Sequence, residues 1–297
     1  KRIYFFGFKT NKNMILIAES GSTKTDWVLV DDENQITMYK TMGFNPFFHS
    51  SEFIAGKIKE NKELYKASIN IERLYFYGAG CSSDDMNQIV EIGLKSIYPN
   101  AEITVDHDLL ACALSTYEGE PSISCILGTG SNSCYFDGKK LREEVPAIAY
   151  VLGDEGSGSF YGKKLLKDYL YNQLPISIKI DFENEFGDAK SDIFENVYMK
   201  PHANVYLASF MKFLNKHYHH EYVINMIQHG MNEFIKIHVC CFPEHKSVKT
   251  HFIGSISKIF ERELKIAAKN HGVQLGNIIQ KPVDNLVNYH LKQVKIS

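Results

Sequence analysis

The fold class that the sequence predicts is α/β, in two similar halves, and three observations lead there. The chain carries two glycine-rich turns, Glu19-Ser20-Gly21-Ser22-Thr23-Lys24-Thr25-Asp26 and Gly128-Thr129-Gly130-Ser131-Asn132. Each follows an apolar run of strand length and leads into a second strand-like run. Strands then alternate with helical patterns after both turns, the grammar of sheets covered by helices. Finally, 297 residues suffice for two domains that each bury a core.

In the first half, residues 14–18, 25–30 and 35–41 read as strands, the latter two joined by Asp31-Asp32-Glu33-Asn34. The loop Gly43-Phe44-Asn45-Pro46 precedes a helix that starts near Ser50 or Ser51, with Glu52 in its first turn. Residues 74–77 form a short buried strand ending in Gly78-Ala79-Gly80. Ser83, with Asp84 and Asp85, caps the next helix, and residues 103–105 are another strand. Asp106-His107-Asp108 then leads into an apolar helix over 109–114, with Asp106 as its cap.

The second half repeats the pattern. Strands at 123–127, 133–136 and about 140–145 are joined by the turn Asp137-Gly138. Leu152-Gly153-Asp154-Glu155-Gly156-Ser157-Gly158 opens a helix over 158–172. Residues 175–200 read as a polar, irregular, peripheral insertion. Two helices follow, the second marked by Val223, Met226, Ile227, Met231, Phe234 and Ile235. A strand over 248–253 precedes a helix opened by Gly254-Ser255, with Ile256, Ile259, Phe260 and Leu264 on one face. The last helix carries Val283, Leu286, Val287, Leu291 and Val294. Residues 1–13 are read as an extension without function.

Composition narrows the function classes. A formal net charge of −2 argues against a general nucleic-acid binder, which needs a basic stripe. No apolar run approaches the roughly 20 residues that span a bilayer. Six scattered cysteines, Cys81, Cys112, Cys125, Cys134, Cys240 and Cys241, read as reduced thiols of a cytoplasmic protein rather than a disulfide framework. His217, His219, His220, Cys240, Cys241, His245 and His251 form a rich tract, but its spacings match no zinc pattern.

Chemistry enters with the two turns. A hairpin of Gly, Ser and Thr offers backbone N–H groups and hydroxyls with no bulky side chain in the way, so a phosphate can approach closely. The first turn is not a Walker A loop, because Thr23 precedes Lys24 where that motif needs Gly-Lys-Ser/Thr. Gly78-Ala79-Gly80 does not complete a dinucleotide fingerprint either, since Ser83 occupies the third glycine position. Two phosphate turns in related halves, with a third Gly-Ser opening a helix at Gly254-Ser255, point to a nucleotide gripped by both.

At this point the chain resembles the N-acetylglucosamine kinases of the BadF/BadG/BcrA/BcrD ATPase family, within the sugar kinase, heat-shock chaperone and actin superfamily. The matching pieces are Glu19 to Asp26, Asn45-Pro46, Asp108, Gly128 to Asn132, Gly153 to Gly158 and Phe252-Ile253-Gly254-Ser255, in the superfamily's order. The resemblance implies two ribonuclease H-like (actin-like ATPase) domains, each a mixed five-stranded sheet flanked by helices, with a cleft between them. It implies one lobe of residues 14–116 plus 283–297, and a second of 117–282.

The resemblance also implies roles. ATP and Mg²⁺ would be the cofactors, held by Glu19, Gly21, Ser22, Thr23, Lys24, Thr129, Gly130, Gly254 and Ser255, with Glu19 on the metal through water. Phosphoryl transfer needs positioning and charge neutralisation more than covalent chemistry. Asp108 would be the general base for the sugar 6-hydroxyl, while Asn45, Ser131, Asn132 and Asp154 would bind the amino sugar. A homodimer is compatible with the resemblance, and no residue pattern demands it. The chain departs from its relatives at Ala147-Ile148-Ala149, where they carry a Gly- and Trp-containing sugar-contacting segment. Turn formation at Asn45 and helix capping at Asp154 are the bland alternatives for those residues.

Two other function classes share the nucleotide loops. One is an activator ATPase that drives electron transfer through an iron–sulfur cluster between subunits. The other is a non-catalytic ATP-binding regulator without a small acceptor.

Overall fold

The computed structural model describes residues 14–21 and 23–296, so Ser22 and the extension 1–13 lie outside the described residues. The chain divides into two compact units, one up to Asp108 and one from Leu109 onward.

In the first unit, β1 (Met14–Ser20), β2 (Lys24–Val30), β3 (Ile36–Met42), β4 (Ile71–Gly78) and β5 (Glu102–His107) form one sheet in the order β3-β2-β1-β4-β5. β2 pairs antiparallel with β1 and with β3; β4 pairs parallel with β1 and β5. Central β1 reads as a near-continuous apolar run because helices need both its faces for a core. Leu16, Ala18, Trp27, Leu74 and Phe76 are buried there. β3, at the sheet edge, is mostly exposed. The turn into it is set by Asp31, whose Oδ1 accepts the Glu33 and Gln35 N–H groups, while Asn34 takes the left-handed φ of 60°.

Two capped helices cover the sheet. Ser50 accepts the Phe53 N–H ahead of the helix Ser51–Glu60, and Ser83 accepts the Met86 N–H ahead of Asp84–Lys95. They pack closely because Gly93 has no side chain: a β-carbon there would meet the Ser51 carbonyl at 2.8 Å.

The second unit repeats the topology. β6 (Ser122–Leu127), β7 (Ser131–Phe136), β8 (Leu141–Arg142), β9 (Lys249–Ile253) and β10 (Gln274–Ile279) run in the order β10-β9-β6-β7-β8. The antiparallel pairs are β6–β7 and β7–β8; the parallel ones are β6–β9 and β9–β10. Both units are thus mixed five-stranded sheets flanked by helices, the ribonuclease H-like fold of actin-like ATPases.

Several expectations change here. Residues 175–200 are not irregular: they form the helices Ile176–Phe186 and Lys190–Phe194 and a π-turn, Glu195–Met199. Their polarity hid a sparse apolar stripe, Ile178, Phe182 and Ile193, which is buried in the unit's core. Strand β8 is two residues long rather than six. The run opened by Gly254-Ser255 breaks into two helices, Ser255–Ile259 and Glu261–Asn270. The helix after β5 spans Asp108–Thr116. All of it after Asp108 belongs to the second unit, as does the helix Val283–Ile296, where Asn285 Nδ2 donates to the Ser115 carbonyl.

Candidate active site

The first unit gathers carboxylates at the carboxyl ends of its parallel strands. Glu19 stands near the end of β1, paired in register with Tyr77 of β4 and Asp26 of β2; Asp108 opens the helix that follows β5. Burial, then repulsion from Asp108, lifts the Glu19 carboxyl to about 7, with Asp26 adding to the rise and Lys24 opposing it. An acid whose titration is lifted toward neutrality by burial and by neighbouring like charges is a common mark of functional chemistry.

The loop itself is locally built. Gly21 N–H closes onto the Lys24 carbonyl at 3.0 Å, and a Gly21 β-carbon would make only an ordinary contact with that carbonyl, at 4.0 Å. Ser20 Oγ accepts the Phe44 N–H at 2.9 Å and sits 2.8 Å from Thr25 Oγ1, which ties the loop to the Asn45 segment. Thr23 and Lys24 are exposed. Lys24 Nζ, however, bonds Asp26 Oδ2.

Asp26 is the acid that the sequence reading left without a role. It is 1% exposed, and its Oδ1 has no hydrogen-bond partner among the described residues. Asp106 does not cap the helix as expected, because its Oδ1 accepts the His107 N–H of its own strand. Asn45 makes the turn: its Oδ1 accepts the Phe47 N–H at 3.0 Å. Its side chain also lies over Gly80, where φ is 82° and a β-carbon would come within 2.5 Å of Asn45 Oδ1. Cys81, buried beside Asp108 and Asp106, has its thiol pushed up to about 12, first by burial and then by those acids.

In the second unit the turn after β6 is locked by backbone bonds. Gly128 N–H reaches the Gly130 carbonyl at 3.0 Å. Gly158 and Ser159 N–H groups bond the Gly128 and Thr129 carbonyls at 2.8 and 3.0 Å. Asp154 is brought to this turn, with Oδ1 3.4 Å from the Ser131 N–H and Oδ2 3.3 Å from Ser159 Oγ. Ser157, not Asp154, caps the helix Gly158–Leu170, accepting the Phe160 N–H. Burial raises the Asp154 carboxyl above the ordinary carboxylate range, against the Ser131 and Ser159 bonds that lower it.

Asn132 Oδ1 accepts its neighbour's N–H at Ser133, and its Nδ2 lies 3.4 Å from Glu143. Gly254, at φ 126°, presses against the Leu127 carbonyl and delivers Ser255 exposed at a helix start. The structure thus brings Glu19 and Asp108 together in one unit, and Thr129, Gly130, Ser131 and Asp154 in the other. Cys125 and Cys134 are fully buried on β6 and β7.

Among the described residues no group of three or more His, Cys, Asp or Glu side chains is placed to enclose a metal ion. Mg²⁺ does not need one, since it keeps most of its waters and binds through one or two carboxylates plus phosphate oxygens. The unpartnered Asp26 oxygen and the repelled Glu19–Asp108 pair fit such a water-held cation. No described helix is long and apolar enough to cross a membrane.

No family model and no curated protein matches the chain. Solved structures do. A candidate N-acetylglucosamine kinase from Porphyromonas gingivalis is 34% identical, with a TM-score of 0.87 over 93% of this chain and 98% of that one. A candidate N-acetylglucosamine kinase from Chromobacterium violaceum is 14% identical, at a TM-score of 0.72 over 94% and 99%. A ROK family glucokinase from Streptomyces griseus, in complex with glucose and AMPPNP, is 14% identical, at 0.50 over 91% and 93%. The latter two speak for the fold alone, while the first is similar along nearly its whole length. The chain belongs to the N-acetylglucosamine kinase-like family of actin-fold, ATP-dependent carbohydrate kinases.

Proposed function

We propose that this kinase transfers the terminal phosphoryl group of ATP to the 6-hydroxyl of N-acetylglucosamine or a close amino sugar, with Asp108 as general base. The observation that carries the reading is the Glu19–Asp108 pair, in which burial and then repulsion from Asp108 lift the Glu19 carboxyl to about 7. Two acids of different environment divide the labour. Asp108 accepts the hydroxyl proton as the oxygen attacks, which raises the nucleophilicity of an alcohol that is otherwise inert. Glu19, with Asp26 behind it, would hold Mg²⁺ through water, and the ion would neutralise phosphate charge in the transition state.

Phosphate oxygens are assigned to the turn after β1, where Thr23 is exposed, and to the Thr129–Gly130 turn, and the nucleoside to Ser255. Asn45, Ser131, Asn132 and Asp154 are the sugar-binding set. Short polar side chains fixed by backbone bonds reject wrong acceptors, because each buried partner left unpaired costs about 1–3 kcal/mol.

The test is ADP release with Mg-ATP across a panel of amino sugars and hexoses, followed by NMR of the product. A 6-phosphate of an N-acyl amino sugar is expected. Absence of acceptor-dependent ADP release across the panel would sink the reading.

A further inference from the structure

We propose that His238 is a positioning residue for the sugar-binding carboxylate of Asp154, acting through Glu155; this rests on the kinase reading of the second unit. The helix Glu221–Phe234 does not end in α geometry but passes into a π-turn, Ile235–Val239, closed by the Cys240 N–H on the Ile235 carbonyl at 2.9 Å. Such single wide turns recur at functional sites, because they re-aim a side chain and a carbonyl together.

Both happen here. The His238 carbonyl accepts Ser133 Oγ at 2.6 Å, and His238 Nε2 lies 3.1 Å from Glu155 Oε2. The ring is 4% exposed and stacks on Phe234, with centroids 4.9 Å apart. A carboxylate accepts, so the ring proton belongs on Nε2. Nδ1 is buried with no partner among the described residues, which is cheaper for a bare lone pair than for a stranded N–H.

Glu155 is held at a second point, since its carbonyl accepts Ser131 Oγ at 2.8 Å. It sits between two left-handed residues, Asp154 at φ 60° and Gly156 at φ 71°. A non-glycine residue keeps that conformation only where its surroundings enforce it. His238 supplies that enforcement: it joins the helix, the loop and β7, which carries both Ser131 and Ser133. The Asp154 carboxylate is thereby aimed at Ser131 and Ser159.

Steady-state kinetics of His238→Leu and His238→Gln test this. His238→Leu is expected to raise the KM for the acceptor sugar ~10- to 100-fold, the loss typical of a hydrogen bond to a charged group. The KM for ATP should stay within about twofold, since uniform damage would move both. His238→Gln, whose amide can donate from the same place, should recover most of the loss. An unchanged sugar KM in His238→Leu overturns the proposal, and so does equal damage to both KM values in the two variants.

If the wild-type protein phosphorylates no amino sugar, the kinase reading has failed on its own. The imidazole ¹⁵N spectrum then decides the strut. A His238 Nε2–H signal that shifts in Glu155→Gln upholds the tie, and one that does not move overturns it.

Discussion

Asp154 Oδ2 lies 2.9 Å from where a β-carbon on residue 130 would stand, so the glycine at 130 and the acid at 154 share one space. The atom in the way is the end of a side chain, which can swing aside at little cost in folding energy. Gly130→Ala should therefore leave the melting temperature within about 2 °C of wild type. It should lower kcat/KM for the sugar roughly 10- to 100-fold, because small misplacements of a binding group are costly. Thermal melts and kinetics on one preparation check both halves.

Asp108→Asn removes the proposed base while keeping shape. The expected outcome is a fall in kcat of ~10²–10⁴-fold with sugar and ATP KM values within a few-fold. A kcat within tenfold of wild type would assign the base elsewhere. Removing the charge also relieves Glu19, so its titration should move down from about 7.

The pH dependence follows from the direction of the Glu19 shift. Its native value, about 7, lies above the ordinary 4.5. The folded protein therefore holds a proton that the unfolded chain has already released between those values. The contribution of this proton to stability is present below the ordinary value, declines as pH rises through the window, and is gone above about 7. Glu19→Gln should abolish this part of the stability profile and raise the melting temperature at pH 8 relative to wild type. Mg²⁺ affinity in the wild type should weaken as pH falls below 7, which calorimetry in two buffers of different ionisation heat would reveal as proton release on binding.

Two glycines make opposite forecasts. Gly254 has φ 126°, and a β-carbon there would meet the Leu127 carbonyl at 2.1 Å, so Gly254→Ala should cost roughly 3 kcal/mol in urea unfolding. Gly56 is exposed within the helix Ser51–Glu60 with nothing within 4 Å of its would-be β-carbon. Gly56→Ala should stabilise by about 0.4–1 kcal/mol. A comparable loss in both would contradict the close contact at Gly254.

Strand β10 shows where the sequence reading stopped. Gln274–Ile279, assigned no element from the sequence, carries Gly276 and Asn277 in mid-strand, where both residue types are disfavoured. In the structure the glycine is what permits the strand, since a β-carbon at 276 would come within 2.5 Å of the His251 ring, whose Nδ1 accepts the Asn277 N–H. The helices of 175–200 were missed for a related reason. Their few apolar residues look incidental until Phe182 is seen packed against Phe210 and Phe213.

What the sequence determined by itself was local: the apolar strands, the capping serines 50 and 83, and the Gly-Ser-Thr turns, each set by neighbours a few residues away. Those features sufficed for the two-half α/β plan and for the family. What only tertiary structure decided was which acids meet. Glu19 is lifted by Asp108 from 89 positions away, and Glu155 is held by His238 across 83. Burial and charge coupling depend on distance in space, and the chain order carries no record of that distance until the sheets have formed.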